Sequence, residues 1–432
     1  FLSVDGGASY KDVRRWAGGC GYSELTLLND SSVPHNDTSQ EGPPIGLFYE
    51  GGSGTSDYSG QMSFVRLDSA ALLRKYWALK SDDDSRVIVR VTSSGAGASC
   101  SKSGSSAGWV CPTLGAAAAK ANAFPRSAIE FAGAHLTTEP LLLTGDDIIV
   151  RCAEPSGGCA IRGSGNGTVM VATSTNLALQ GFDVSGGNWS HSKSNAGALT
   201  FDGKQLKSVA VNFTSNDGYS GGAIWSKGAQ AFASTVFSRN TAWVKGHGGV
   251  HDWVGGGAIF NSRGRINVTN CTFQHSRALD HGGAIMNYMG DVVVQRSIFV
   301  NCTAKQGGAL YTFMWGSIVA EDSLFQGCWA GDCEHCHAGD KAGHGGAIFT
   351  DRGTLTVRRC DFVNNAQAIW AWSVKGKDSS QAVTIADSTF TNNHANGSGA
   401  ALANQWSKVV FTNTTFVGNA ATKGGGVLYD DT

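Results

Sequence analysis

The chain has 432 residues and an almost balanced charge, with 33 lysines and arginines against 34 aspartates and glutamates. Electrostatic binding to nucleic acid is therefore not expected. No apolar run approaches the roughly 18 residues that a transmembrane helix needs, so no membrane span is expected either. Glycine accounts for 59 residues, nearly twice its usual share, which is typical of a chain with many tight corners.

An N-terminal unit of residues 1–88 precedes any repeat. It alternates polar loops, such as residues 29–44, with short apolar strands at residues 46–51 and 61–67. Residues 69–79 have a helical pattern. No function is predicted for this unit.

Residues 89–432 are predicted to form a parallel β-helix that opens with a short capping helix. Strand-like residues from Val87 onward are followed by a loop between two cysteines and then by the Ala-rich residues 113–124, where Thr113 is a suitable N-cap. The apolar end of a first β-helical coil has to be covered. We therefore assign residues 113–124 to a capping helix.

A tetrad of Gly-Gly-Ala and an aliphatic residue recurs through residues 206–432. Its copies are residues 221–224, 256–259, 282–285, 307–310 and 345–348, with looser versions at 399–402 and 425–428. Paired glycines permit a tight turn with positive φ or the close approach of a neighbouring coil. Each tetrad therefore indicates a corner at which the chain re-enters a narrow core.

A phenylalanine recurs between the tetrads, usually with an asparagine three residues later. The pairs are Phe213/Asn216, Phe237/Asn240, Phe362/Asn365, Phe390/Asn393 and Phe416/Asn419. Three further copies have another residue in place of the asparagine: Phe273/Ser276, Phe299/Cys302 and Phe325/Cys328. The intervals between successive phenylalanines run from 24 to 37 residues, which indicates a basic unit that insertions enlarge in places.

An apolar pair precedes these phenylalanines by seven and five residues. The pairs are Ile266/Val268, Val292/Val294, Ile318/Ala320, Leu355/Val357, Val383/Ile385 and Val409/Phe411. The spacing of two is strand periodicity, whereas the odd offset of five to the phenylalanine requires a corner. Each unit therefore contains about three short strands, as one coil of a parallel β-helix does.

These patterns predict an all-β fold, a right-handed parallel β-helix of about ten to twelve coils. The coils lie about 4.8 Å apart in such a solenoid. The phenylalanine and aliphatic side chains should then form continuous interior columns. The asparagines should form an interior ladder, each bonding to backbone groups and to the next asparagine.

The tetrads and the Phe-x-x-Asn motifs resemble those of the chlamydial polymorphic membrane proteins, over roughly residues 206–432. The resemblance implies a pectin-lyase-like β-helical passenger domain. The last residues belong to a repeat, so no C-terminal membrane barrel is expected, and the chain carries many glycosylation sequons; both features depart from that family. A secreted eukaryotic relative is therefore expected.

Asn-x-Ser/Thr sequons are more frequent than random placement of the 23 asparagines would give. They occur at Asn29, Asn36, Asn166, Asn188, Asn212, Asn267, Asn270, Asn301, Asn396 and Asn413. The excess predicts a secreted glycoprotein with covalent N-glycans. The alternative is that corners rich in Asn and Thr create sequons by composition alone.

Eleven cysteines indicate an oxidising compartment. Two pairs, Cys100/Cys111 and Cys152/Cys159, would each close a short loop. Cys302 and Cys328 occupy the same position in consecutive coils, which places their Cα atoms about 5 Å apart and within disulfide range. The alternative is two stacked buried thiols.

Residues 328–345 form the segment that most resembles a metal site, because Cys333-x-x-Cys336 has histidines close by. Its other candidate ligands are Cys328, His335, His337 and His344. We favour a loop closed by disulfides of Cys333, Cys336 and Cys360 instead, since the chain resembles a secreted, oxidised protein. No metal or other cofactor is predicted.

Signatures of pectin-degrading enzymes are incomplete. Gly-His-Gly occurs at residues 246–248 and 343–345, but without the aspartate pair and Arg-x-Lys of a polygalacturonase. Four aspartates, Asp280, Asp291, Asp351 and Asp361, fall at unequal coil positions and are not expected to converge on a calcium site. No catalytic residue is predicted.

Seven tryptophans lie in or beside the insertions: Trp243, Trp253, Trp315, Trp329, Trp370, Trp372 and Trp406. They could stack on sugars or anchor loops to the flank of the solenoid. We favour an extracellular structural glycoprotein of a coat, appendage or fibre over a carbohydrate-binding adhesin, and both over a polysaccharide lyase or hydrolase. Head-to-tail self-association through the C-terminal coil is expected, with Cys20 as a candidate for a covalent link between protomers.

Overall fold

The computed structural model describes residues 23–27, 45–51, 61–67 and 86–431, without residues 93–98, 104–107, 155–157, 189–194, 244–254, 332–343 and 375–381. The chain divides into two compact units, Phe1–Ser85 and Arg86–Thr432. In the first unit, the strands Ser23–Leu27, Ile45–Gly51 and Gln61–Leu67 pair in chain order as an antiparallel sheet. The loop expected at residues 29–44 and the helix expected at residues 69–79 lie outside the described residues.

The second unit is a parallel β-helix with three long sheets. The first sheet contains Ser101–Ser103, Gly108–Cys111, Val87–Val91, Arg126–Phe131, Asp147–Cys152, Asn176–Gln180, Gln205–Val209, Ala229–Ala233, Arg265–Thr269, Asp291–Gln295, Ser317–Glu321, Thr354–Arg358, Ala382–Ala386 and Lys408–Thr412. The second contains Ala134–Thr137, Ala160–Gly163, Asp183–Ser185, Asn212–Thr214, Val236–Ser238, Thr272–Gln274, Ile298–Val300, Leu324–Gln326, Asp361–Val363, Thr389–Thr391 and Thr415–Val417. The third contains Leu141–Leu143, Met170–Ala172, Leu199–Phe201, Ile224–Ser226, Ile259–Ser262, Ile285–Tyr288, Leu310–Phe313, Ile348–Asp351, Ile369–Trp372, Leu402–Gln405 and Leu428–Asp431.

Each coil contributes one strand to each sheet, so the second and third sheets have eleven strands each. Only the Ser101–Ser103 strand of these three sheets runs antiparallel to its described neighbour. Short strands add two small parallel sheets: Asp217–Gly218, Thr241–Ala242, Arg277–Ala278, Thr303–Ala304 and Trp329–Ala330 form one, and His394–Ala395 and Ala420–Ala421 form the other.

A single helix in the described part of the chain, α1 (Leu114–Ala121), packs against the first coil. The side chain of Thr113 accepts a hydrogen bond from the backbone N–H of Ala116 and caps the helix, as its position predicts. Leu114 and three alanines of the helix are buried. This helix, the single one in the described residues, does not have the length and apolarity that a membrane crossing requires.

The predicted phenylalanine column lies in the interior. The rings of Phe273, Phe299 and Phe325 stack with centroids 4.7 and 4.8 Å apart and planes within 6° of parallel. The column continues on both sides, from Phe213 to Phe416. In-register pairing of the second-sheet strands places each ring directly on the next.

Single residues in the left-handed conformation make the corners on both sides of the second sheet. Three residues before the phenylalanine, φ is positive at Ala210, Ser234, Asn270, Arg296, Asp322, Arg359, Asp387 and Asn413. Two residues after it, φ is positive at Ser215, Arg239, His275, Asn301, Gly327, Asn364, Asn392 and Gly418. Each left-handed residue turns the chain sharply, which explains the odd offset between the apolar pair and the phenylalanine.

The two glycines of the tetrad have different roles. The first is left-handed in every copy, for example with φ of 61° at Gly282 and 62° at Gly307. At the second, a side chain would collide with the next coil, since a Cβ on Gly283 would overlap the carbonyl oxygen of Gly308. The first glycine therefore makes the turn and the second lets the coils approach.

The asparagine ladder forms where asparagines are present. Asn365 Nδ2 donates to Asn393 Oδ1 at 3.0 Å, and Asn393 Nδ2 donates to Asn419 Oδ1 at 2.9 Å. Asn216 and Asn240 form the same contact at 3.1 Å. Each amide also donates to a backbone carbonyl of the preceding coil, that of Val184 for Asn216 and that of a phenylalanine for the others, as Asn393 does to Phe362 at 2.9 Å.

Candidate functional site

The outer face of the third sheet carries a second apolar cluster, separate from the interior core. It consists of the buried residues Phe260, Met286, Tyr311, Phe313 and Phe349, packed with the half-buried Trp225, Tyr288, Met314, Trp370 and Trp372. We call this set the outer aromatic cluster. Outward-facing positions of a sheet on a solvated surface are usually polar. Aromatic residues at these positions over several coils make this face a candidate interaction surface.

Polar groups are embedded in this cluster. The Tyr311 hydroxyl donates to Asp351 Oδ2 at 3.5 Å, and Arg352 Nε donates to Asp351 Oδ1 at 2.7 Å. The His281 ring lies 4.4 Å from the Tyr311 ring, and His281 Nδ1 lies 3.0 Å from Asp280 Oδ2. The side chains of Asp351 and Arg352 remain 12% and 23% exposed, so solvent reaches this polar group.

Burial sets the protonation of this group. It raises the pKa of the Asp351 carboxyl above its ordinary value, and the nearby charges of Arg352 and His281 oppose the shift. Burial also raises the pKa of Tyr311 well above its ordinary value, reinforced by the negative charges of Asp351 and Asp280. Tyr311 is therefore a hydrogen-bond donor at neutral pH rather than a base.

The structure brings two of the four aspartates, Asp280 and Asp351, near Tyr311, and the described residues there are not arranged as a group of metal ligands. Asp280 and Asp351 both lie close enough to Tyr311 to raise its pKa. Asp280 precedes the strand Ile285–Tyr288, whereas Asp351 ends the strand Ile348–Asp351, so the two approach Tyr311 from different points of their coils. Asp291 and Asp361 do lie elsewhere, on the first and second sheets, where they accept hydrogen bonds from Ser317 and Thr389.

Large side chains occupy the corner that leads from the third sheet to the first. Met289, Trp315, Arg352 and Trp406, which we call the corner row, all have positive φ, between 56° and 68°. Bulky residues rarely adopt this conformation. Trp315 is 58% exposed and Met289 is 39% exposed, so the corner row is accessible.

Arg352 links the corner row to the outer aromatic cluster. Its guanidinium carbon lies 4.9 Å from the centre of the Phe313 ring and 5.4 Å from that of Trp372. The Trp372 ring in turn lies 6.5 Å from the Trp406 ring. The backbone N–H of Trp315 donates to the Arg352 carbonyl at 3.0 Å, which places Trp315 in the adjoining coil.

The other predicted tryptophans are dispersed. Trp329 is 56% exposed on the five-stranded small sheet, and Trp243 is half-buried. Trp370 contacts His344, with ring centroids 3.8 Å apart. Trp253 lies outside the described residues.

Eight of the ten sequon asparagines are in the described part of the chain. Asn166, Asn212, Asn267, Asn270, Asn301, Asn396 and Asn413 are exposed, and Asn188 is half-buried. Asn270, Asn301 and Asn413 are left-handed corner residues. Asn29 and Asn36 lie outside the described residues.

The two locally paired disulfides are present, Cys100–Cys111 and Cys152–Cys159. Cys302 and Cys328 are buried thiols, so the predicted bridge between coils is absent. In-register parallel strands hold their Cβ atoms about one strand spacing apart, near 4.8 Å, which exceeds the usual separation of about 3.8 Å in a disulfide.

Cys360 is also a buried thiol, in the interior rather than in a disulfide-closed loop. It and Cys271 occupy a column two residues before the phenylalanine, where other coils have Ser297, Ser323 and Ser388. The serine hydroxyls and both thiols donate to the backbone carbonyl two residues earlier. Sequence reasoning missed this column, although the recurrence of small Ser, Thr and Cys residues there would have revealed it.

The predicted metal-like segment is only partly described. Four of its candidate ligands lie outside the described residues: Cys333, His335, Cys336 and His337. The same is true of Cys20 and of residues 246–248. Cys328 faces the interior and donates to the Phe299 and Gln326 carbonyls. Within the described ranges, no group of three or more His, Cys, Asp or Glu side chains is arranged to hold a metal ion.

A family model described as "Right handed beta helix region" matches residues 249–432. With the parallel sheets, the match shows that the chain is an all-β protein with a right-handed parallel β-helix. No curated protein is significantly similar to the chain. The comparisons thus identify a β-helical repeat protein, a class that contains structural proteins, adhesins and enzymes.

Proposed function

We propose that this protein is an extracellular, N-glycosylated structural protein that forms part of a surface coat, appendage or fibre by self-association. The observation that carries the proposal is the in-register stacking of the coils, with eight phenylalanines in one column and five asparagines in the ladder. Such stacking makes a regular scaffold whose coils support one another. The two disulfides are compatible with an extracellular environment.

Glycosylation is supported by the exposure of seven sequon asparagines. Asn212 and Asn413 each donate from Nδ2 to an aspartate, at 2.8 and 2.7 Å. A glycan replaces one of the two Nδ2 hydrogens, so the other can keep this bond. Glycans would also fit a secreted eukaryotic relative of the chlamydial polymorphic membrane proteins. Intact-mass measurement of secreted protein before and after glycosidase treatment tests this part; no loss of mass contradicts it.

Self-association is supported by apolar residues on the outer face of the second sheet. Ile298 is 41% exposed and Val417 is 55% exposed. Light scattering and negative-stain imaging of the full chain should show assemblies that the double change Ile298→Lys and Val417→Lys weakens. Lysine substitutions at Thr384 and Thr356 on the first sheet are the matched control. Monomers at every concentration would contradict self-association.

Carbohydrate binding, as in an adhesin, is the second candidate. It is favoured by the corner row together with Trp372, because accessible tryptophan rings offer flat apolar faces beside polar groups. A glycan array with the secreted protein tests it. Binding to defined glycans would support an adhesin, whereas a blank array would contradict carbohydrate binding.

A polysaccharide lyase or hydrolase is the remaining alternative. The placement of Asp280, His281, Tyr311 and Asp351 around one point on the outer aromatic cluster favours it, since the carboxyl of Asp351 has a raised pKa and acidic groups of this kind can act as general acids. Incubation with acidic and neutral polysaccharides, followed by assays for reducing ends and unsaturated products, decides this alternative. Asp351→Asn is the variant that should abolish any activity found.

A further inference from the structure

We propose that Arg352 and the tryptophans around it form a binding site for an anionic saccharide. The inference rests on the carbohydrate-binding candidate and specifies the ligand's charge and its site. The charge would be a carboxylate or a sulfate ester, and both fit the same receptor.

The first argument is that the Arg352 guanidinium is held in place before any ligand arrives. Asp351 binds Nε at 2.7 Å, while the rings of Phe313 and Trp372 lie against the guanidinium carbon. Asp351 is itself held by the Tyr311 hydroxyl. A guanidinium fixed in this way loses little entropy on binding an anion.

The second argument is that most of its hydrogen-bonding capacity is unused. Arginine has five N–H donors, and within the described part of the chain only Nε of Arg352 has a hydrogen-bond acceptor. The side chain remains 23% exposed. The terminal nitrogens can therefore donate to a carboxylate or sulfate, in the paired geometry that arginine favours.

The third argument concerns the surroundings of the charge. Trp315 lies in the coil before Arg352, Trp372 lies in the coil after it, and Trp406 lies one coil beyond Trp372. Flat aromatic rings stack on the C–H faces of sugar rings, whereas the hydroxyl groups remain in water. A saccharide with an acidic group uses both features. A nucleic acid requires several phosphate contacts, and the negative charge of Asp351 directly beside Arg352 disfavours it.

The fourth argument is the backbone. Trp315, Arg352 and Trp406 all have positive φ, at 68°, 56° and 64°. Left-handed corners recur throughout the solenoid, where pairing with the next coil holds the backbone. At this corner the same conformation turns three large side chains away from the core, where a ligand can reach them.

The test is titration of the full secreted chain with three oligosaccharides of equal length: a polyuronate, a sulfated one and a neutral one. Calorimetry and tryptophan fluorescence report binding. At least one of the two anionic oligosaccharides should bind at least tenfold more tightly than the neutral one. Its affinity should fall as the salt concentration rises. Which anion is preferred identifies the source of the charge.

The variants are Arg352→Gln and Trp406→Ala, which should each weaken anionic binding at least tenfold. The controls are Arg296→Gln, at an exposed left-handed corner before the second sheet, and Trp329→Ala, on the five-stranded small sheet. Both controls should bind like the parent. Circular dichroism establishes that each variant is folded. Arg352→Lys, a milder change, is used if Arg352→Gln does not fold.

Unchanged binding in Arg352→Gln, equal losses in the controls, or tighter binding of a single-stranded oligonucleotide than of any saccharide would overturn the proposal. Tight binding of the neutral oligosaccharide alone would overturn it and leave the carbohydrate-binding candidate standing. Absence of binding to all three would overturn the proposal, and a blank glycan array would overturn the candidate as well.

Discussion

At the scale of single residues, the interior is divided into columns in which one chemical role recurs. The phenylalanine column supplies apolar stacking, whereas the column two residues before it supplies a small group that donates to its own strand. Cys271 and Cys360 replace serine and keep its bond to the carbonyl two residues earlier, whereas Cys302 and Cys328 replace asparagine and keep only its bond to the phenylalanine carbonyl of the preceding coil. The role of a buried residue is therefore set by its column more than by its identity.

Replacement of Phe299 by alanine should lower the free energy of unfolding by roughly 3–5 kcal/mol, because the buried ring leaves a cavity between two stacked neighbours. Ile298→Ala is the matched control on the same strand, since Ile298 is 41% exposed on the outer face. Its effect should stay below about 1 kcal/mol. Urea unfolding of the two variants measures the difference, and equal effects would contradict the orientation of this strand.

Ser276 is the residue at which the asparagine ladder stops. Its hydroxyl is buried and has no hydrogen-bond partner in the described part of the chain. Ser276→Asn should place an amide beside Asn240 and the Phe237 carbonyl, and raise the free energy of unfolding by about 1 kcal/mol. Ser276→Ala, which removes the unsatisfied hydroxyl, is the control and should gain less. A loss of stability in Ser276→Asn would show that the neighbouring Cys302 leaves no room.

At the scale of the element, one coil is three strands and the corners between them. The strands and the phenylalanine column were predictable, because a period of two and a recurring aromatic residue survive in the sequence. The left-handed corners were not, since Ala, Ser, Arg, Asp and Asn all occupy them. Pairing with the next coil holds the backbone in this conformation, so the residue types at the corners do not reveal it in the sequence.

Ala210 and Gly283 test these corners in opposite directions. Ala210→Gly should stabilise the protein by roughly 0.5–1 kcal/mol, since glycine relieves the left-handed strain at φ of 53°. Gly283→Ala should destabilise it by more than about 2 kcal/mol, because its Cβ would overlap the Gly308 carbonyl. Ala231→Gly, within a first-sheet strand, is the control for glycine's entropy and should be destabilising. Thermal unfolding ranks the three.

At the scale of the whole molecule, the sequence predicted the β-helix better than it predicted the candidate site. Repeats reveal what every coil shares, whereas a site consists of what differs between coils. Asp351 and Arg352 are adjacent in the chain, but His281 lies far from them in sequence, and neither position belongs to the repeated motifs. Their proximity depends on coil register, which no local pattern records.

The buried thiols should make the stability of the solenoid sensitive to alkali. Burial raises the pKa of Cys271 to about 11 and that of Cys360 to about 12, and it raises the pKa of Cys302 well above its ordinary value. Folded thiols therefore stay protonated where unfolded ones ionise. The free energy of unfolding should be unaffected by them below pH 9 and fall above it, by up to about 1.4 kcal/mol per pH unit for each thiol.

Unfolding by urea between pH 8 and pH 11 measures this fall. Cys360→Ser, which restores the residue found in neighbouring coils, should reduce the slope by one group's share. Peptide mapping after alkylation at pH 8 is an independent check: Cys271, Cys302, Cys328 and Cys360 should be modified only in denaturant. Alkylation of the native protein at any of the four would contradict their burial.

Equivalence of the corners has a consequence for how such a chain changes over generations. Gly290 and Gly316 stand at the same point of successive coils, directly before in-register strands. Deletion of residues 291–316 would join one coil to the next but one and leave every column continuous. The length of the solenoid can therefore change between related genes by whole coils, in steps of one strand spacing, while the cross-section of the solenoid stays the same.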